Sequence, residues 1–179
     1  MTTVSRLQQK RLQADVKQLR EQHLNYVTAF QSEENMLNFY FLIYGQKGTD
    51  YENGQYIGKF ILSDKYPFTP PDIMFLTPNG RFEINRKICL TITGYHSGEW
   101  NPLLTIHAML IQVYSIFSDD DTTGIAHIKE SKAQRIRHAQ SSIEFNTTKY
   151  PDIYRNFDMT HLNDGSIPIT TSTEASSSI

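Results

Sequence analysis

Residues 66–71, Tyr-Pro-Phe-Thr-Pro-Pro, limit what this chain can fold into more than any other stretch of it. Pro67, Pro70 and Pro71 have no backbone N–H and a fixed φ, so they cannot lie inside a central β-strand. The segment must be a rigid edge or loop, and it is expected to display Tyr66 and Phe68. Strand-like runs flank it: 26–30, 36–44 and 56–62 before it, 73–76 after it. The turn-rich sequences GQKGTDYENG and SDKYPFTPPD separate them. Four short strands with short connections predict an antiparallel meander.

Helical patterns enclose that meander. Residues 3–22 contain neither Gly nor Pro; Leu12, Val16 and Leu19 share one face, and Arg6, Lys10 and Lys17 share the opposite, basic one. Residues 77–104 have little periodicity, and loops of that length in a compact domain are usually functional. A helix is predicted over 105–118, with Ile106, Met109, Leu110, Val113 and Phe117 on one stripe, and SDDDTTG ends it. A mostly polar, surface-lying helix is predicted over 126–145, and a short helical turn within 150–157. From Asn163 onward the Ser/Thr-rich sequence cannot bury apolar area. The expected organisation is an α+β, sandwich-like core domain over 1–160 and a disordered tail over 161–179, without internal repeats.

Composition removes several function classes. A formal charge of -2 gives no reason to expect nucleic-acid binding, and 39% hydrophobic residues over 179 positions suffice for a core. One cysteine excludes an internal disulfide and a multi-cysteine zinc site, and it suits a reducing compartment, cytoplasm or nucleus. Arg6, Lys10 and Arg11 precede no apolar stretch of the kind a signal peptide carries. The most apolar segment, 103–117, falls short of the roughly 20 residues a membrane span needs. A soluble chain is expected.

The chemistry centres on Cys89. Its neighbours Ile88 and Leu90 favour an inert core thiol, since free cysteines are commonly buried. Its place in a long irregular segment, just after Arg86 and Lys87, favours reactivity, because nearby positive charge raises the thiolate fraction. His96 is the nearest histidine in sequence and His107 lies in the predicted helix; neither forms a recognisable cysteine–histidine pair. No histidine or carboxylate pair has metal-ligand spacing, so no metal is expected. The acidic run Asp119, Asp120 and Asp121 follows a helix C-terminus, where negative charge is slightly unfavourable, which hints at another use.

Taken in order, an amphipathic helix, a four-strand meander, YPFTPPDIMFLTPN, ICL, EWNPLLTI and a helix resemble the ubiquitin-conjugating enzymes over about 4–157. TPNGRFEINRKICLTITGYHSGEWNP is most similar to the Ubc-six or J-type branch, which is usually tail-anchored in the endoplasmic reticulum membrane. That branch shares TPNGRF and extra residues on both sides of the cysteine. The resemblance implies the ubiquitin-conjugating fold, with a sheet backed by helices. It makes Cys89 the residue that accepts ubiquitin as a thioester from the activating enzyme and passes it to a lysine or hydroxyl acceptor, usually with a ligase. No cofactor is expected on this chain, since ATP is consumed by the activating enzyme.

The same resemblance assigns roles residue by residue. Asn79 matches the asparagine that supports the active-site loop or donates to the oxyanion, while Thr77 replaces the family's usual histidine. His96 matches a branch histidine near the thioester, although Ser97 and Gly98 depart from that pattern. Asp119, Asp120 and Asp121 lie near the acidic gate for the acceptor. Phe68, Pro102 and Leu103 match the ligase-gripping loops, and Arg6 and Lys10 match the surface that docks the activating enzyme. The implied partners of a monomer are ubiquitin, the activating enzyme, a ligase and a protein substrate, with no direct membrane span. The branch normally continues into a polar linker and a transmembrane helix, whereas here the Ser/Thr-rich sequence stops at Ile179. A naturally soluble relative, a membrane reached through a partner and a removed anchor all stay open, and residence in the endoplasmic reticulum is not inherited from the resemblance. Two alternatives stay open: a carrier of another ubiquitin-like modifier, and a non-catalytic scaffold binding ubiquitin or a ligase. A small cysteine hydrolase would need a general base within reach of the thiol.

Overall fold

The computed structural model describes residues 4–89, 100–119 and 127–163. Helix α1 spans Arg6–Glu21, and Ser5 caps it by accepting from the Gln8 N–H at 3.1 Å. Strands β1 (Val27–Gln31), β2 (Asn38–Tyr44), β3 (Gln55–Ile61) and β4 (Asp72–Phe75) follow, then the two-residue β5 (Ile88–Cys89). The sheet order is β1-β2-β3-β4-β5 with every pairing antiparallel, so the expected four-strand meander is present and gains a fifth strand. Helices α2 (Ile106–Ser118), α3 (Lys132–Lys149) and α4 (Pro151–Tyr154) complete the described elements. Among the described residues, no helix is long and apolar enough to cross a membrane.

Side-chain alternation sends the two faces of the sheet into two cores. Phe39, Phe41 and Ile43 of β2, with Tyr56 and Phe60 of β3, meet Leu12 of α1 and the buried stripe of α2. That stripe, Ile106, Met109, Leu110, Val113 and Phe117, is the one its periodicity predicts. On the other face Leu42, Ile57 and Leu76 pack with Phe157, and Tyr150, Ile153, Tyr154, Met159 and Leu162 gather around them. The chain therefore crosses the back of the sheet after α3. His161 stacks on His23 with ring centroids 3.6 Å apart, and the Asn163 N–H donates to the Asn25 carbonyl at 2.8 Å.

Helix α3 starts later than the predicted 126 and is not wholly a surface helix. Ser131 caps it by accepting from the Gln134 N–H at 3.3 Å, and Ala139, Ser142 and Asn146 form a buried stripe. Those polar residues fasten α3 to the sheet. The Gln55 N–H donates to Ser142 Oγ at 2.9 Å, and the Asn146 amide donates to the Gln55 carbonyl at 2.8 Å. The Thr77 hydroxyl donates to Asn146 Oδ1 at 2.5 Å and accepts from the Ile57 N–H at 2.9 Å.

Thr77→Val keeps the shape but strands the Ile57 donor and one Asn146 acceptor bond. Since an orphaned buried polar group costs about 1–3 kcal/mol, the variant is expected to lose about 2 kcal/mol or more in urea unfolding, with an unchanged m-value. Thr77→Ser keeps the hydroxyl and should lose only about 1 kcal/mol, the value of one buried methyl.

Candidate active site and docking loops

Cys89 is not in an irregular segment, as the sequence suggests, but at the end of a strand. Its backbone pairs with Asp72, and Ile88 pairs with Ile73. The cations before it are each matched by a carboxylate: Lys87 Nζ lies 3.9 Å from Asp72 Oδ2, and Arg86 pairs with Glu83. Neither cation is therefore without a carboxylate partner. His96, Asp120 and Asp121 lie outside the described residues. Asp119 is described; it is exposed and forms the C-cap of α2, its N–H donating to the Ile116 carbonyl at 3.3 Å.

The loop after β4 is tightly built. Asn79 is buried, and its amide works on its own loop: Nδ2 donates to the Thr77 carbonyl at 3.0 Å, while Oδ1 accepts from the N–H groups of Arg81 at 2.8 Å and Phe82 at 2.7 Å. Gly80 adopts φ +77, in the left-handed region, and a Cβ there would sit 2.7 Å from Arg135 Cγ. Phe82 stacks on Phe75 at 4.8 Å and pairs by an isolated bridge with His127. The buried Arg81 guanidinium reaches His127 Nδ1 at 2.8 Å and donates to the Ile116 carbonyl at 3.4 Å. It thus touches both flanks of the segment that carries the acidic run.

A second cluster holds the docking loops. Phe68 is 64% exposed and Leu103 is 79% exposed, with Pro102 partly covered. Tyr66, expected to be displayed beside Phe68, is instead buried, and its hydroxyl donates to Asp15 Oδ2 at 2.8 Å. Burial first, and then the Asp15 carboxylate, push the Tyr66 hydroxyl far above its ordinary range, so it stays a donor. Asp15 also pairs with Arg11 at 3.1 Å and accepts from the Ile106 N–H at 3.3 Å. Arg6 and Lys10 lie on the exposed face of α1, with the apolar Leu7 exposed between them.

Sequence reasoning missed Gln8, Asp15 and the structural use of Arg11 and Trp100. The signal was available: Arg11 and Asp15 form an i,i+4 pair beside Leu12, on the side that the apolar pattern marks as inward. Among the described residues no group of histidine, cysteine or carboxylate side chains could hold a metal ion.

The fold and this arrangement define a class that sequence comparison identifies independently. The family model described as ubiquitin-conjugating enzyme matches residues 11–150. The chain belongs to the ubiquitin-conjugating enzyme family. It is 35% identical over 147 residues to ubiquitin-conjugating enzyme E2 6 of Eremothecium gossypii, covering 82% of this chain and 60% of that one. The protein of the same name from Debaryomyces hansenii is 36% identical, covering 83% of this chain and 64% of that one. A Dictyostelium discoideum protein, ubiquitin-conjugating enzyme E2 J2-like, is 32% identical, with 76% and 79% covered. The chain thus spans about 60% of the length of the two E2 6 relatives. A putative ubiquitin-conjugating enzyme from Plasmodium yoelii shares the fold, with a TM-score of 0.56 at 24% identity, covering 82% of this chain and 96% of that one.

Asn79→Ala would orphan two buried backbone donors, those of Arg81 and Phe82. At about 1–3 kcal/mol for each, it is expected to lose at least about 2 kcal/mol in thermal or urea unfolding. A loss under about 0.5 kcal/mol would mean that the loop does not depend on this side chain.

Proposed function

We propose that this protein accepts ubiquitin from an activating enzyme as a thioester on Cys89 and transfers it to a lysine or hydroxyl of a protein substrate with the help of a ligase. The observation that carries the reading is the chain's one cysteine, held at the end of β5 beside β4 within the fold of this enzyme family. In the loading step the Cys89 thiolate attacks the ubiquitin thioester of the activating enzyme, whose thiolate leaves. In the transfer step an acceptor amine or hydroxyl attacks the Cys89 thioester, loses its proton, and expels the Cys89 thiolate. One thioester replaces another in the first step, so no bound metal or nucleotide is required on this chain. ATP is used by the activating enzyme.

The remaining roles are the ones the family resemblance implies. Asn79 braces the loop, and its second amide hydrogen is the one available to a tetrahedral oxyanion. His96 and the acidic residues Asp119, Asp120 and Asp121 serve the acceptor side. Arg6 and Lys10, exposed on α1, dock the activating enzyme, and Phe68, Pro102 and Leu103 dock the ligase. The reaction belongs to a reducing compartment, the cytoplasm or nucleus, or to the cytoplasmic side of a membrane reached through a partner.

The decisive assay mixes the protein with ubiquitin, activating enzyme and ATP and resolves it on gels with and without reductant. A ubiquitin-shifted band should disappear on reduction, become reductant-resistant in Cys89→Ser, and be missing in Cys89→Ala; an unchanged band in Cys89→Ala would overturn the proposal. Asn79→Asp keeps the Oδ1 acceptor but removes both Nδ2 hydrogens, including the one on the Thr77 carbonyl, so its discharge rate is read beside its unfolding and against Asn79→Ala. If the amide serves the oxyanion, discharge of the charged variant to free lysine slows about 10²–10³-fold, the usual cost of one such donor. An unchanged rate would leave Asn79 with bracing alone.

A further inference from the structure

The exposed apolar residues at the docking loops sit on two different segments, and neither is held by a strand. Phe68 follows the cis Tyr66–Pro67 bond in one loop, and Leu103 lies in the connection before α2. A surface formed by two loops is useful to a partner only if their relative position is fixed beforehand, because ordering them on binding subtracts from affinity.

One side of α1 supplies that fixation. The Arg11 guanidinium donates through Nη1 to the Pro102 carbonyl at 2.7 Å and through Nη2 to the Leu104 carbonyl at 2.6 Å, so it grips the backbone on both sides of the exposed Leu103. Its third donor, Nε, is spent on Asp15 at 3.1 Å, and the guanidinium carbon lies 5.5 Å from the Tyr66 ring centroid. Asp15 in turn accepts from Tyr66, two residues before Phe68. The Gln8 amide donates to the Ser63 carbonyl at 2.9 Å at the root of the same loop. The two loops are also tied directly, since Trp100 Nε1 donates to the Pro67 carbonyl at 2.8 Å. The Arg11 side chain is 17% exposed and that of Asp15 1%, so the pair sits beneath the surface it organises.

We propose that Arg11, oriented by Asp15, is a positioning residue for the ligase-docking surface: it sets the Leu103 connection against the Phe68 loop before any partner arrives. This rests on the reading of Phe68 and Leu103 as ligase contacts. The planar guanidinium is essential, because a lysine ammonium cannot present three donors in fixed directions to two carbonyls and a carboxylate. Arg6 and Lys10 on the same helix point to solvent and take no part in this fastening.

The chain's one tryptophan gives an internal readout, since Trp100 lies at the junction of the two loops. Arg11→Gln, Arg11→Lys and Asp15→Asn would be compared with Phe68→Ala and Leu103→Ala, first by Trp100 emission and acrylamide quenching. The second measurement is single-turnover discharge of charged protein against increasing concentrations of a RING-type ubiquitin-ligase domain. Arg11→Gln is expected to red-shift and expose Trp100. It should also raise the half-saturating ligase concentration about tenfold, less than the roughly thirtyfold or more expected for loss of a hot-spot contact itself, while the rate at saturating ligase stays within about twofold. Arg11→Lys should recover little of either, and because it keeps a cation beside the buried Asp15 it carries the test if Arg11→Gln does not fold; Asp15→Asn should shift both in the same direction. If Phe68→Ala and Leu103→Ala weaken the ligase response while the Arg11 and Asp15 variants leave it and Trp100 unchanged, the positioning role is wrong. If Phe68→Ala and Leu103→Ala leave the ligase response intact, the docking reading itself fails and the proposal falls with it.

Discussion

The carboxylate of Asp15 is the constraint around which this structure is arranged. It is withdrawn from water inside α1, and a buried charge of that kind persists only where partners replace its hydration. Arg11, the Tyr66 hydroxyl and the Ile106 N–H do so from the helix itself, the proline-rich loop and the first turn of α2. Because each partner belongs to a different segment, satisfying this one group fixes three parts of the chain relative to one another. Leu12, with the partly buried Val4, Val16 and Leu19, supplies the apolar contact with the core; Asp15 supplies the register.

A second polar fastening lies along β3. Gln55, Thr77, Ser142 and Asn146 join β3, the loop after β4 and α3 through bonds of 2.5 to 2.9 Å. Asn79 then shapes the loop that Thr77 begins. The strand that bears Cys89 is held on β4, next to β3, which the second fastening steadies. The proposed carriage of an activated acyl group would call for this kind of rigidity more than a deep cavity, since the bond to be transferred is already high in energy and the remaining task is to present it. The exposed residues divide accordingly, with cations on the outer face of α1 and apolar side chains on the two loops that its inner face holds.

Much of this was legible in the sequence where a simple period governs it. The alternating runs of the meander and the α2 stripe appear within a residue or two of their expected bounds, because burial on one face imposes that pattern. The proline run correctly marks a loop, but proline rules say nothing of side-chain direction, and Tyr66 turns inward to reach a carboxylate 51 positions earlier. The start of α3 could have been read from Ser131 and Gln134, a capping pair whose spacing is the same as that of Ser5 and Gln8. Its inner stripe escaped because Ala139, Ser142 and Asn146 are small or polar and bury hydrogen bonds rather than apolar area. β5 has only two residues and no period to detect, so the environment of Cys89 could not be settled from its neighbours in sequence.

The claim on which the rest turns is that Cys89 carries the acyl group, and intact-mass measurement followed by peptide mapping of the charged protein tests it most directly. The account predicts a species heavier by one ubiquitin less one water, with the addition on the peptide containing Cys89 and fully reversed by excess thiol. An addition that survives thiol, or one that maps to a lysine in the absence of any addition at Cys89, would contradict it.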